Sequence, residues 1–393
     1  MGYNKTTFLC VIVINENHSK QQNMNILILN LILSTPEKGV IKKRDSISDT
    51  MICSFARGFV ALGHSVTIVA AEEFRPTGQL PEDVEMVFLP SRMPKVFNPS
   101  LLPWPIGLGK YLKENSSRFQ LVISSEAFSI ATLIASKYCP EKLVVWQEMA
   151  YHQRKMKKMP SKIWHNLVMR HYINKILVVP RSERARHFIA HYSQHVTNEI
   201  VDHGADGQTL YPSEESTDSF VIVSQLIPRK NVDKMIDIFA RFIANPLYAH
   251  YKLHVIGDGG LTDKIKQQIK SLGIGNNVIL HGFMTHNQLA SYLRNAKALL
   301  VNTSMDLNMV TIPESIISGT PVVMNTMPTT ASFVSENHLG IAKDGWDEST
   351  LVDLINSYDS FHAECIKARD GLTNIGCAKK MLSIFERHSN QPG

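Results

Sequence analysis

Residues 303–323 read Thr303-Ser-Met-Asp306-Leu-Asn-Met-Val310-Thr-Ile-Pro313-Glu314-Ser-Ile-Ile-Ser318-Gly319-Thr-Pro321-Val-Val323. An apolar run, Ala298–Val301, enters the segment, and a short polar loop follows it. Pro313 is placed to open a helix and Gly319 to end it. A second apolar run, Pro321–Met324, then leaves. This is a strand, a loop, a short helix and a strand. Asp306 and Glu314 flank the loop-to-helix junction. A helix start presents free N–H groups and the positive end of a dipole, which suits a phosphate. Carboxylates beside it suit sugar hydroxyls. The segment therefore reads as a site for a molecule that is part phosphate and part polyol, such as a nucleotide-sugar.

Outward from this segment, the same rhythm of strand, loop and amphipathic helix fills the chain. In the first half, strands are expected at Asn25–Leu31, Val66–Ala70, Val84–Leu89, Leu121–Ser124, Leu143–Trp146 and Ile176–Val179. In the second half they are expected at Phe220–Val223, Tyr251–Ile256, Val278–His281, Ala298–Val301 and Pro321–Met324. Most are short, continuous apolar runs, as parallel strands covered on both faces require. Ile47–Leu62 reads as a helix stopped by Gly63. Asp206–Asp218 is rich in Gly, Pro, Ser, Thr and acids and reads as an interdomain connection. The fold class expected is α/β with two doubly wound, Rossmann-like domains. Residues 24–205 would form the first and 206–375 the second, with 376–393 a terminal helix returning to the first. Ligands of such sheets bind outside the carboxyl ends of the strands, where residues 303–314 lie.

Other loops at strand ends point to the same cleft. Arg229 and Lys230 of Ser224-Gln225-Leu-Ile-Pro-Arg229-Lys230 precede a helix start and suit phosphate oxygens. They equally suit a solvated turn. Gly257-Asp258-Gly259-Gly260 allows close backbone approach or a tight turn. His281-Gly-Phe283 can bring an amide or an aromatic ring near a base.

The order of these motifs is more specific than any one of them. His203-Gly-Ala-Asp206, Ser224-Gln225-Leu-x-Pro-x-Lys230, Val255-Ile-Gly-Asp-Gly-Gly260, His281-Gly-Phe283, Asp306-x7-Glu314 and Ser318-Gly-Thr-Pro-Val-Val323 resemble, as an ordered set, the C-terminal domain of GT-B glycosyltransferases of the family 4 (group 1) type. The resemblance reaches the first half through the first strand, Gly39 and Gly63-His-Ser-Val66. It implies two domains with an interdomain cleft and a nucleotide-sugar donor bound mainly by the second. Glu314 would hold the ribose, Asp306 and the backbone of Leu307, Asn308, Met309 and Val310 the sugar and pyrophosphate, and Lys230 with Arg229 the phosphates. Gln225, Gly257, Asp258 and Gly259 would complete the donor side. The resemblance implies retention of configuration and no metal; the chain contains no D-x-D.

Three positions depart from the family pattern. Gln225 stands where the family carries an arginine, so one phosphate charge is missing. Asp306 is one methylene shorter than the family's Glu. Gln147 stands in the region of a family histidine, with Glu148 beside it at a strand end facing the cleft. The candidate catalytic set is Lys230, Asp306 and Glu148. Gly39, Lys42, Lys43, Arg44 and His152 are expected on the acceptor side; for His152 a solvated position beside a basic segment is the competing reading.

That basic segment, Tyr151–Lys175, holds seven Lys and Arg and no acid. Ile163, Trp164 and Leu167 are expected on one side of it. It suits an anionic membrane surface, or it is an ordinary surface helix whose apolar stripe is core. A nucleic-acid partner is not expected, because the aromatics form no stacking platform. The net charge is +6 and 44% of residues are hydrophobic, which supports full cores. Five scattered cysteines without a C-x-x-C pair fit a reduced, cytoplasmic setting. No apolar run reaches the roughly 20 residues of a membrane span. Residues 1–23 are expected to be an extension outside the fold and not an export signal, since Phe8–Ile14 is short and lacks a small-x-small cleavage site. The expected function is glycosyl transfer to a glycan or lipid-linked acceptor in cell-surface polysaccharide or glycolipid assembly, with peripheral attachment to the inner membrane face. A sugar-nucleotide epimerase of the same architecture and a non-catalytic partner subunit remain open alternatives.

Overall fold

The computed structural model describes residues 23–34, 41, 44–92, 103–152, 159–305 and 309–390. The strands are β1 (Asn25–Leu29), β2 (Ser65–Ala71), β3 (Glu85–Leu89), β4 (Ser91–Arg92), β5 (Trp104–Pro105), β6 (Leu121–Ser125), β7 (Leu143–Gln147) and β8 (Leu177–Pro180) in the first half. The second half contributes β9 (Ser219–Val223), β10 (Lys252–Ile256), β11 (Val278–Gly282), β12 (Ala298–Val301), β13 (Val322–Met324) and β14 (Gly340–Ala342). Two six-stranded sheets result, in the orders β3-β2-β1-β6-β7-β8 and β11-β10-β9-β12-β13-β14. Every pairing within them is parallel. The α/β fold of two doubly wound sheets is thus the one expected from the apolar runs. Each sheet has a switch point where the strand order reverses, between β1 and β6 and between β9 and β12. There the loops leaving neighbouring strands diverge and open a crevice.

The strands are buried on both faces, which explains their unbroken apolar character. In β9, Phe220 and Ile222 pack into one core with the helix Val232–Ile243, whereas Val221 packs into another with the helix Thr311–Ile317. Two features lie outside the sequence expectations. β14, only three residues long, adds an edge to the second sheet, and β4 and β5 form a small antiparallel pair. Both are too short to show periodicity.

The chain passes between the halves at two adjoining places. The amide of Ala205 donates to the carbonyl of Leu372 (3.0 Å), and the amide of Asn374 donates to the carbonyl of Ala205 (2.8 Å). The helix Asn374–Ser389 then buries Cys377, Ala378, Met381, Leu382 and Ile384 in the first-half core. Gly204 permits this crossing. Its φ is +71°, and a Cβ there would fall 2.6 Å from backbone atoms of Asn374, so no larger residue fits.

The segment 159–173 differs from a plain amphipathic helix. It begins as α-helix over Met159–Ile163 and widens into π-helical turns over Trp164–Ile173. Its buried residues, Ser161, His165, Met169 and Ile173, are spaced by four. That spacing drifts around a 3.6-residue helix and holds one face better in the wider π turn. Trp164 does not share a face with Ile163 and Leu167. Its indole turns inward, donating Nε1–H to the carbonyl of Ala127 (3.0 Å) and meeting Phe128 edge-on. Ile163 and Leu167 stay exposed.

Candidate active site

A cavity of 680 Å³ opens at the switch point of the second sheet and is closed on its other side by the first half. Its floor is built by loops leaving β9 and β10. The amide of Ser224 donates to the carbonyl of Ile256 (2.9 Å) and that of Leu226 to the carbonyl of Asp258 (3.0 Å). This contact demands Gly257. Its φ is +133°, and a Cβ would lie 1.9 Å from the Ser224 oxygen. The Asp258 carboxylate is occupied locally: it accepts from the Thr262 hydroxyl and the Gly259 amide, both at 2.7 Å, which lower its pKa. It holds the turn in shape.

Lys230 ends a single 3₁₀ turn, Pro228–Lys230, and lines the cavity with Arg229 and Gln225. Burial pushes the Lys230 ammonium down to about 8, and the neighbouring Arg229 charge adds to the effect. The Arg229 carbonyl also anchors the loop after β12. It accepts from the Ser304 amide (2.9 Å) and the Thr303 hydroxyl (3.1 Å). Asn325, at the exit of β13, clamps the same loop by exchanging two hydrogen bonds with the Thr303 backbone.

Glu314 lies in the first turn of the helix Thr311–Ile317 and is 4% exposed. Its Oε1 accepts Nε2–H of His286 at 2.9 Å. His286 is the first residue of the helix His286–Asn295, whose Thr285–Gln288 capping box fixes the approach. The hydrogen bond to Glu314 raises the imidazole pKa against the opposing effect of burial, and Asp49 and Asp206 add to the rise. Phe283, 80% exposed, stands at the cavity wall with Met284. Met309, Val310 and Thr311 continue the wall toward Glu314.

The opposing wall comes from the first half: Ser48, Asp49, Met51, Ser54 and Arg57 around the helix Met51–Ala61, and His203. Behind it lies a charged network at the carboxyl ends of β7 and β8. Arg181 donates to Glu148 Oε2 (2.6 Å) and to Asp202 Oδ1 (2.9 Å), and its guanidinium covers the Trp146 ring at 4.6 Å. Burial works against charge on Asp202. The His203 ring and Arg181 outweigh it and hold that carboxyl below the usual carboxylate range. One loop away, Glu126 has φ +68°, a strained setting for a side-chain-bearing residue. Its Oε1 accepts the amides of Glu148 (2.8 Å) and Met149 (3.0 Å), and its Oε2 accepts Nε2–H of Gln147 (2.9 Å). Burial pushes this carboxyl up to about 7, the Glu148 charge adds to the rise, and the two amides oppose it.

The structure thus gathers Lys230, Arg229, Gln225, Gly257, Asp258, Met309, Val310 and Glu314 around one cavity. Asp306, Leu307 and Asn308 lie outside the described residues, as do Gly39, Lys42, Lys43 and four of the seven basic residues of 151–175. Glu148 stands at the exit of β7 behind the cavity wall, paired with Arg181. Arg44 is apart from the cavity, its carbonyl accepting the Thr77 amide. His152 is engaged through both ring nitrogens, with the hydroxyls of Ser161 (2.6 Å) and Tyr192 (3.0 Å). It is half-buried and does not line the cavity. His286, Glu126 and Arg181 escaped the sequence reading. Arg181 was detectable as a charge directly after the apolar strand Val178-Val179-Pro180; the 28-residue separation of His286 and Glu314 matches no motif spacing. Among the described residues, no group of three or more His, Cys, Asp or Glu could hold a metal ion. None of their helices is long and apolar enough to cross a membrane.

Residues 211–360, which hold the second sheet, match the family described as glycosyl transferases group 1. The chain is 25% identical over 127 residues to the alpha-monoglucosyldiacylglycerol synthase of Streptococcus pneumoniae, a match covering 32% of this chain and 28% of that enzyme. It is 26% identical over 173 residues to the poly(ribitol-phosphate) alpha-N-acetylglucosaminyltransferase of Staphylococcus aureus, covering 42% of this chain and 34% of the other. The chain therefore spans about a third or less of these relatives' length. Among solved structures, HepE of Anabaena in complex with UDP and glucose superimposes with a TM-score of 0.59 over 93% of this chain and all of that one, at 13% identity. The fold is that of the GT-B glycosyltransferases.

Proposed function

We propose that this protein transfers a sugar from a nucleotide-sugar donor to an acceptor hydroxyl. The observation that carries the reading is the arrangement of Glu314, Lys230 and Phe283 around one 680 Å³ cavity at the sheet switch point. These residues supply what a nucleotide-sugar needs. Glu314 accepts hydrogen bonds from the ribose hydroxyls. Lys230, with Arg229, faces the diphosphate. Phe283 offers a ring to the base. In the transfer, the bond from the anomeric carbon to the phosphate oxygen breaks, its electron pair staying on the diphosphate, while the acceptor oxygen bonds to that carbon and loses its proton. Charge grows on the leaving group, so a cation held there in a partly buried site lowers the barrier. The group 1 match over 211–360 and the UDP complex of a like-folded protein support the donor class.

Retention of configuration is proposed with it, through attack from the face that the diphosphate leaves, whose departing oxygen takes the acceptor proton. Asp306 and the loop to Asn308 are proposed to address the sugar. The acceptor is proposed to be a glycan or glycolipid, and the similarity to a glycolipid synthase and a poly(ribitol-phosphate) transferase supports this class. A lipid-linked acceptor agrees with the outer face of 159–175, where Ile163, Leu167 and Tyr172 stand exposed beside Lys162, Arg170 and Lys175. Apolar side chains ringed by cations fit an anionic membrane surface. The test of the reading is product analysis with UDP-, GDP- and ADP-sugars. Free nucleoside diphosphate and a glycosylated acceptor support it, and epimerised donor without transfer contradicts it.

A further inference from the structure

Glu314 is a carboxylate at 4% exposure, and a charge so placed is costly without a partner. Its partner comes from another element. Nε2 of His286 lies 2.9 Å from Oε1, and because a carboxylate only accepts, the imidazole is the donor. His286 reaches this position from the start of its own helix, across 28 residues of sequence. Asp49 and Asp206 also stand near enough to favour a proton on the ring. Both members of the pair line the cavity. Oε1 is committed to the imidazole, and the Glu314 side chain lines the cavity. The pair thus presents one fixed carboxylate oxygen for a ligand.

We infer that His286 is a positioning residue for recognition of a vicinal diol: it locks the Glu314 carboxylate through Oε1, so that Oε2 is held ready for the ribose hydroxyls of the nucleotide. This rests on the reading of the cavity as a nucleotide-sugar site and assigns the ribose contact to two residues. A carboxylate free to rotate would lose entropy on binding; one already held does not. Substituting His286 therefore weakens ribose recognition specifically and leaves the phosphate contacts of Lys230 intact.

The experiment is calorimetric titration of the full chain with UDP, GDP and ADP, and with the 2′,3′-dideoxy form of whichever binds. Hydrogen bonds to a charged group contribute enough that the wild type should prefer the ribose form by about tenfold or more. His286→Ala should bring that preference to within about twofold of unity, while affinity for the dideoxy form stays within about twofold of wild type. His286→Gln keeps an N–H donor and should restore most of the preference. It also serves as the second variant should His286→Ala unfold, because it keeps the donor that holds Glu314. A His286→Ala protein that keeps the full ribose preference overturns the inference and leaves the donor-site reading standing. A wild type that binds no nucleoside diphosphate overturns both.

Discussion

Nη1 of Arg181 lies 2.6 Å from Oε2 of Glu148, and the guanidinium behind that contact is 3% exposed. The arginine leaves β8, the glutamate leaves β7, and Asp202 takes the other side of the same fork at 2.9 Å. Phe55 stacks on the far side of Trp146 at 4.3 Å, so the guanidinium, indole and phenyl form one stack. The position of Glu148 at the exit of β7 is therefore set by a buried cation.

Removing that cation takes the shared charge partner from both carboxylates. Arg181→Ala should cost about 1–3 kcal/mol of stability, because a buried donor is lost while both carboxylates keep some access to water. Arg181→Lys should recover only part of it, because a point charge cannot serve two carboxylates and a ring as a planar fork does. Urea unfolding followed by circular dichroism measures both, and a loss below about 1 kcal/mol for the alanine variant contradicts the network.

Lys230 makes donor binding dependent on pH. Burial has pushed its ammonium down to about 8, so the charge that faces the diphosphate is complete well below pH 8 and is lost as pH rises through it. Nucleoside diphosphate affinity should fall between pH 7 and 9 in the wild type. It should stay level for Lys230→Arg, whose charge persists at all these pH values. Lys230→Ala should nearly abolish turnover. Isothermal titration at pH 7, 8 and 9 checks the slope, and a wild type as flat as Lys230→Arg contradicts it.

Glu126 should leave its mark on stability. Its folded pKa, about 7, is above the ordinary 4.5. Between those values the native protein binds more protons than the unfolded chain, so this group's contribution is full at pH 4.5 and lost as pH rises through 7. The comparison that isolates it is Glu126→Gln against wild type at pH 5 and pH 8. The variant should be relatively more stable at pH 8 than at pH 5; a difference that does not move with pH contradicts the assignment.

Most of the architecture was legible because buried parallel strands leave unbroken apolar runs. Ala298–Val301 is found at the bounds its pattern suggests, and Val66–Ala70 and Leu121–Ser124 extend by only a residue or two. Gly63, with φ +89°, ends its helix as a left-handed stop. The cavity floor was legible in part, since Gly257 advertises a close backbone approach. What escaped are pairings between elements distant in sequence. His286 meets Glu314, Glu126 gathers the amides after β7, and Asp49 crosses the cleft. No local periodicity encodes such meetings; they exist only once the sheets are assembled. His152 shows the same limit from the other side: beside a basic run it reads as solvated, yet Ser161 and Tyr192 engage both its ring nitrogens.

The exposed face of 159–175 carries its own test. Wild-type protein should co-sediment with vesicles containing anionic phospholipid and not with purely zwitterionic ones. Replacing Ile163 and Leu167 together by serine should reduce binding about tenfold or more, since each exposed aliphatic side chain contributes on the order of 1.5–3 kcal/mol when fully buried. Equal binding to both vesicle types, or binding unchanged in the double variant, contradicts a membrane contact at this face.

The decisive measurement is release of nucleoside diphosphate from UDP-, GDP- and ADP-sugars by the wild type, Glu314→Ala and Lys230→Ala, followed by chromatography. If the cavity is a nucleotide-sugar site, the wild type releases the diphosphate from at least one donor class, and both variants, while folded, lose that activity by about a hundredfold or more. Release from no donor, or release at wild-type rates by either variant, contradicts the assignment of this cavity to the donor.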